Sequence, residues 1–214
     1  EQGMHSFKAY MALQPAQLQA LVQAAHARGA KVTGHLCATS YEEAARAGID
    51  NLEHGFWGAS DFVGKRRAGT CDFDALWQSL EALQPDDPRI ERLIRLLVRR
   101  KVALTSTPAV LEPFDGGHGG EGHDHGSAPG LCVLAPPLRD AVIAGARERS
   151  AGQSAAAKAR RQALSDKMLA LELRFAAAGG LLMLGTDPTG DGHVVPGYGG
   201  LRAMQLLQRA GMTA

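Results

Sequence analysis

The feature that most constrains this chain is alternation. Short apolar or β-branched runs recur along it, each followed by a segment with helical apolar spacing. That order is the signature of βα units built around a parallel sheet. Residues 6–10 read as a strand. Pro15 then opens a helix with an apolar stripe of Leu18, Leu21, Val22 and Ala25, and Gly29 stops it. Residues 31–36 form the next strand. Ser40 and Glu43 spell a capping box for a short helix over 42–47, which Gly48 ends. A strand over 49–53 finishes at His54-Gly55. Helices over 73–83 and 89–101, a strand over 102–107, helices over 137–150 and 154–178, a strand over 181–187 and a helix over 201–210 complete the series.

Five strands do not close a (β/α)8 barrel, which needs eight and typically about 250 residues; this chain has 214. The expectation is an α/β protein: a partial TIM-type (β/α)8 barrel over residues 1–214 whose first strands are missing. Its two open strand edges would invite aggregation or assembly into a homo-oligomer. Residues 112–135 break the pattern and read as a Gly/His-rich loop insertion. The chain opens with Glu1 rather than Met, so a truncated N-terminus is expected and localisation stays open.

Composition narrows the partners. A 45% hydrophobic and 21% charged chain is ordinary for a soluble globular protein. A net charge of +1 points neither to nucleic acid nor to an anionic membrane surface, and Arg99-Arg100-Lys101 and Arg160-Arg161 fall on helical patterns as solvated faces. No apolar run reaches the ~20 residues that span a bilayer. Cys37, Cys71 and Cys132 are odd in number and irregularly spaced, so free thiols are expected.

Four titratable residues stand on strands or at their C-terminal ends: Lys8, His35, His54 and Asp187. In parallel α/β folds those ends form one rim, where active sites gather. Two imidazoles and a carboxylate are a ligand set for Zn²⁺, Mn²⁺ or Fe²⁺. A metal so held lowers the pKa of water toward ~7 and polarises a carbonyl. Asp187 can also accept the proton of that water. Each residue has an ordinary reading beside this one: a solvated strand-edge lysine, two hydrogen-bonded packing histidines, an aspartate starting a turn before Pro188. Their equivalent places in successive βα units favour the functional reading. Tyr10 shares a strand face with Lys8 and can orient a substrate carbonyl or carboxylate, or simply pack at the rim. Thr189 and His193, in the glycine-rich loop after Asp187, are further candidate substrate contacts; that loop lacks the lysine of a phosphate-binding motif.

The runs Phe7-Lys8-Ala9-Tyr10, Val32-Thr33-Gly34-His35-Leu36, Ile49-Asp50-Asn51-Leu52-Glu53-His54-Gly55 and Gly185-Thr186-Asp187 resemble strands four, five, six and eight of the amidohydrolase superfamily. The nearest branch is the imidazolonepropionase-like and prolidase-like group, and the resemblance covers nearly the whole chain except the His-rich loop. It implies a metal-dependent hydrolase of C–N bonds in amides, cyclic amides or dipeptide-like small molecules. By the same resemblance, His35 and His54 would hold a second metal. Asp187 would hold the first and act as general base. Lys8 would be the lysine that many members carboxylate, bridging two ions. The implied cofactor is one or two divalent metals, zinc foremost. The departure is the family's strand-one His-x-His pair, which has no counterpart before Lys8. His123-x-His125 has that spelling but lies in the insertion, where no barrel strand is expected. Two alternatives therefore stand beside the hydrolase: an inactive fragment without a complete metal site, and a metal-binding protein using His118, His123 and His125 with Glu121 and Asp124.

Overall fold

Helix starts follow residue chemistry closely. Pro15 and Pro88 occupy first-turn positions, where no backbone donor is needed. Asp72 and Asp87 accept from the amides of Ala75 and Arg89. Ser40 and Glu43 make the reciprocal capping box that their spacing spells. Stops are equally local: Gly29 and Gly48 turn the chain with φ of 69° and 91°.

The computed structural model describes residues 3–111, 131, 134–188, 194 and 197–213. Its elements run β1 (Ser6–Ala9), α1 (Pro15–His26), β2 (Lys31–Gly34), α2 (Tyr41–Ala47), β3 (Asn51–Glu53), a 3-10 turn (Ser60–Phe62), α3 (Phe73–Ala82) and α4 (Pro88–Arg100). They continue with β4 (Ala103–Ser106), α5 (Pro108–Leu111), α6 (Pro136–Ser150), α7 (Ala155–Ala177), β5 (Leu182–Leu184) and α8 (Tyr198–Arg209). The strands form one sheet in the order β1-β2-β3-β4-β5. The first four pair in parallel, with Lys8 beside Thr33, Thr33 beside Asn51, and Glu53 beside Thr105. Strand order equal to chain order, with helical crossovers, is barrel-type winding.

The chain divides into two units. The first comprises Glu1–Ser106 and Lys167–Met183. In it Val32, Leu52 and Leu104 are buried while their neighbours Thr33, Glu53 and Thr105 are only half-buried, the two-residue period of a strand. Leu18, Val22 and Ala25 of α1 and Ile90, Ile94 and Leu97 of α4 supply much of the buried helix surface. Asp50, just before β3, accepts from Nζ of Lys31, Nε2 of His26 and the amide of Val32, each at 2.8 Å. Burial opposes its ionisation, but these donors outweigh it and hold the carboxyl below the ordinary range. Lys167, on α7, donates to the carbonyls of Leu80, Glu81 and Leu83 at 3.0, 2.7 and 2.9 Å. It thereby satisfies the end of α3, which has no glycine stop. The second unit comprises Thr107–Asp166 and Leu184–Ala214. There Ala109, Val194 and Ala203 form one small core and Leu131 with Val142 another.

Several expectations change. Cys37 and Cys71 are a disulfide, with Cα atoms 5.1 Å apart, not free thiols. Arg66 draws the intervening loop back to the segment between β2 and α2: its guanidinium donates to the carbonyl of Ala38 at 3.0 Å and pairs with Glu43 of α2 at 2.6 Å. The 3-10 turn and α5 were not anticipated, and β5 is shorter than its apolar run, ending before Gly185. Of the expected insertion over 112–135, only Leu131, Leu134 and Ala135 are among the described residues. No described helix is long and apolar enough to cross a membrane.

Candidate active site

Three neighbouring parallel strands each deliver an aromatic or imidazole side chain just beyond their last residue: Tyr10 after β1, His35 after β2 and His54 after β3. The parallel register makes these positions adjacent. The ring centroids of His35 and His54 are 4.2 Å apart with planes at 65°, and those of Tyr10 and His35 are 5.2 Å apart at 67°. Nζ of Lys8 lies 5.9 Å from the Tyr10 ring centroid. Four of the sequence-singled residues therefore come together at the C-terminal edge of the sheet. Burial grades across them: Tyr10 is exposed, His35 half-buried and His54 only 5% exposed.

Lys8 has a partner that sequence reasoning had not assigned. Its ammonium pairs with the Glu53 carboxylate at 2.6 Å, and Thr33 Oγ1 donates to the other Glu53 oxygen at 2.9 Å. Asn51 donates to Thr33 Oγ1 at 2.8 Å, and Thr105 donates to Asn51 at 3.1 Å. A polar row thus runs across β1, β2, β3 and β4 on the face opposite Val32, Leu52 and Leu104. Glu53 stands in the Asn51-Leu52-Glu53-His54-Gly55 run, and its even spacing with Asn51 was the available signal.

The chain reverses sharply at His54-Gly55, both residues having positive φ, 65° and 55°. The Gly55 amide donates to the Thr105 carbonyl at 3.0 Å, and Tyr41 Oη donates to the Gly55 carbonyl at 2.8 Å. Burial raises the Tyr41 pKa and keeps the phenol protonated as a donor. Against the open side of Gly55 packs the carboxyl of Glu172, from α7; a Cβ on residue 55 would overlap it. Glu172 is 2% exposed, and Ser106 Oγ donates to its Oε2 at 2.5 Å. Burial pushes this carboxyl up to about 7, the Ser106 bond opposing the rise.

No protein-family model matches the chain, and no curated protein matches it either. Solved structures do. A bottromycin amidohydrolase superposes with a TM-score of 0.66 at 24% identity, over 99% of this chain and 43% of that one. The A. niger ochratoxinase superposes with a TM-score of 0.52 at 18% identity, over 99% of this chain and 36% of that one. The chain shares the fold of the matched part of each. It spans less than half the length of either of these proteins.

The sequence resemblance implies a divalent metal at this rim. The His35–His54 pair suits two positions of a divalent-ion ligand set: both are nitrogen donors, at the rim, on adjacent strands. Nε2 of His54 is shielded from solvent. Among the described residues, no group of three or more His, Cys, Asp or Glu is assembled to hold a metal ion. Asp187 belongs to the second unit, half-buried, with φ of 41° directly before Pro188. Thr189, His193, Cys132 and the histidines of the 112–135 segment lie outside the described residues. Ser106, Tyr41 and Glu172 were missed. For Glu172 a signal existed: it falls at helical spacing with Met168 and Phe175, a polar residue inside an apolar stripe.

Proposed function

We propose that this chain carries part of the active site of a metal-dependent hydrolase acting on C–N bonds of small amides, cyclic amides or dipeptide-like molecules. The observation that supports the reading is the His35–His54 pair, 4.2 Å apart at the C-terminal ends of adjacent parallel strands in an amidohydrolase fold. His35 and His54 would hold a divalent ion, zinc foremost, with Asp187 as a further ligand. Bound there, the ion supplies Lewis-acid polarisation of a carbonyl and a more acidic water. Asp187 accepts the proton released during attack and returns it to the leaving nitrogen. Tyr10, exposed beside His35, orients the substrate carbonyl or carboxylate, and His193 is a second contact. Lys8 contributes in one of two forms. As the ammonium paired with Glu53 it attracts an anionic substrate group. As a carbamate it would bridge two ions, after exchanging the Glu53 ion pair, because CO₂ adds only to a neutral amine.

The test is metal content by elemental analysis after equilibration with Zn²⁺ and gel filtration. Wild-type chain is expected to retain roughly one equivalent, as for one site. The His35→Ala, His54→Ala double variant is expected to lose it, and His123→Ala, His125→Ala to keep it. Metal that survives the first double variant and disappears in the second would assign binding to the histidine-rich segment and overturn the reading. So would a wild-type chain that retains none.

A further inference from the structure

We propose that Glu172 is a positioning residue of this centre: its carboxyl, carried into the core by α7, fixes the His54-Gly55 reversal and with it the direction of the His54 imidazole. The inference rests on the assignment of His54 to the centre. Four observations carry it.

The carboxyl is divided between two elements. Oε2 is held by Ser106 Oγ, the last residue of β4, and Oε1 lies against Gly55 at the end of β3. The two strands are neighbours in the sheet, so Glu172 ties their C-terminal ends together. The reversal it supports is a costly one. His54 has φ of 65°, a conformation that non-glycine residues rarely adopt and that persists only where the surroundings enforce it. Two further hydrogen bonds hold the same reversal: the Tyr41 phenol donates to the Gly55 carbonyl and the Gly55 amide to the Thr105 carbonyl. Finally, stability alone does not account for a carboxyl here. Its neighbours on α7 are Met168, Leu169, Leu171 and Phe175, all buried. Ser106 Oγ donates to it, and among the described residues no cation acts on it. A leucine would satisfy the core at lower cost, since a buried acid must be desolvated and a buried alkyl group need not be. The partner residues match the assignment: each touches the turn that carries His54 or the strand end beside it.

Two readouts separate positioning from packing. The first is the set of imidazole ¹⁵N and ¹H shifts of metal-free, histidine-labelled protein, with His54 identified by its loss in His54→Gln. The second is Zn²⁺ affinity by competition with a chromophoric chelator. Glu172→Leu fills the same space without the polar hold. It is expected to melt no lower than wild type, to move the His54 signals while leaving those of surface His26, and to weaken Zn²⁺ about 10–100-fold, as loss of a ligand's support does. Glu172→Gln keeps the shape and a hydrogen-bonding oxygen, and is expected to stay within a few-fold of wild type. Ser106→Ala releases Oε2 without altering α7 and is expected to move His54 in the same direction as Glu172→Leu. It also decides the matter if Glu172→Leu does not fold. Unmoved His54 signals in Glu172→Leu, or in Ser106→Ala if that variant alone folds, overturn the proposal. Failure of wild type to bind Zn²⁺ sinks the metal reading instead, and the His54 shifts then still decide whether Glu172 positions that side chain.

Discussion

At the scale of single residues, Glu172 also sets how stability responds to pH. Its carboxyl sits at about 7 in the fold against an ordinary 4.5. A carboxyl raised in this way takes up a proton on folding between those two values. Stability is then highest below pH 4.5, falls as pH rises toward 7, and stays reduced above it. The shift corresponds to about 3 kcal/mol at most, by the usual conversion for a buried group. Glu172→Gln, uncharged throughout, is expected to abolish this slope, so that its advantage over wild type is present at pH 8 and gone at pH 4.5. Urea midpoints of both proteins at the two pH values would check it. A residue such as this was not legible in the way His35 and His54 were. Those two follow directly on strands, and strand order alone brings them together. The Glu172 environment depends on where α7 lies, and a 23-residue helix offers every azimuth. Only its place in the Met168–Phe175 stripe hinted at burial. The Lys8–Glu53 pair was hidden for a related reason, since it requires β1 and β3 to project side chains across β2.

Among the elements, types were readable and ends were not. All five strands lie where apolar runs predicted, yet the ladders stop sooner: β2 ends at Gly34, although Leu36 and Cys37 remain buried beyond it. Hydrophobic pattern reports burial, while a strand ends where its hydrogen-bonded neighbour turns away. Cysteine spacing was silent for another reason. Cys37 and Cys71 are 34 residues apart, and Arg66 and the Gly69 amide, both donating to the Ala38 carbonyl, bring their segments together. Closing a loop of that length should stabilise the fold by about 3–4 kcal/mol on chain-entropy grounds. Reduction, or Cys37→Ser with Cys71→Ser, is expected to lower the unfolding free energy by that amount in urea titrations. In denatured, unreduced protein one of the three cysteines should react with a thiol reagent.

For the whole molecule, the salient property is that the sheet is open among the described residues. β1 pairs with β2, and β5 with β4, leaving each outer strand one neighbour. Apolar side chains sit near those edges: Phe7 is 36% exposed, Leu181 63% and Met183 38%. Unpaired edges with exposed apolar groups recruit other chains. Self-association that grows with concentration is expected by light scattering, and a Leu181→Lys, Met183→Lys double variant should shift it toward monomer. The order in which the molecule is made raises a different issue. The end of α3 and the residue capping it deliver three carbonyls to Lys167, more than eighty residues further along the chain. Contacts of such long sequence separation form late. On the ribosome, α3 and the Trp77 it carries must therefore wait, half finished, until most of the polypeptide has been synthesised and α7 has emerged.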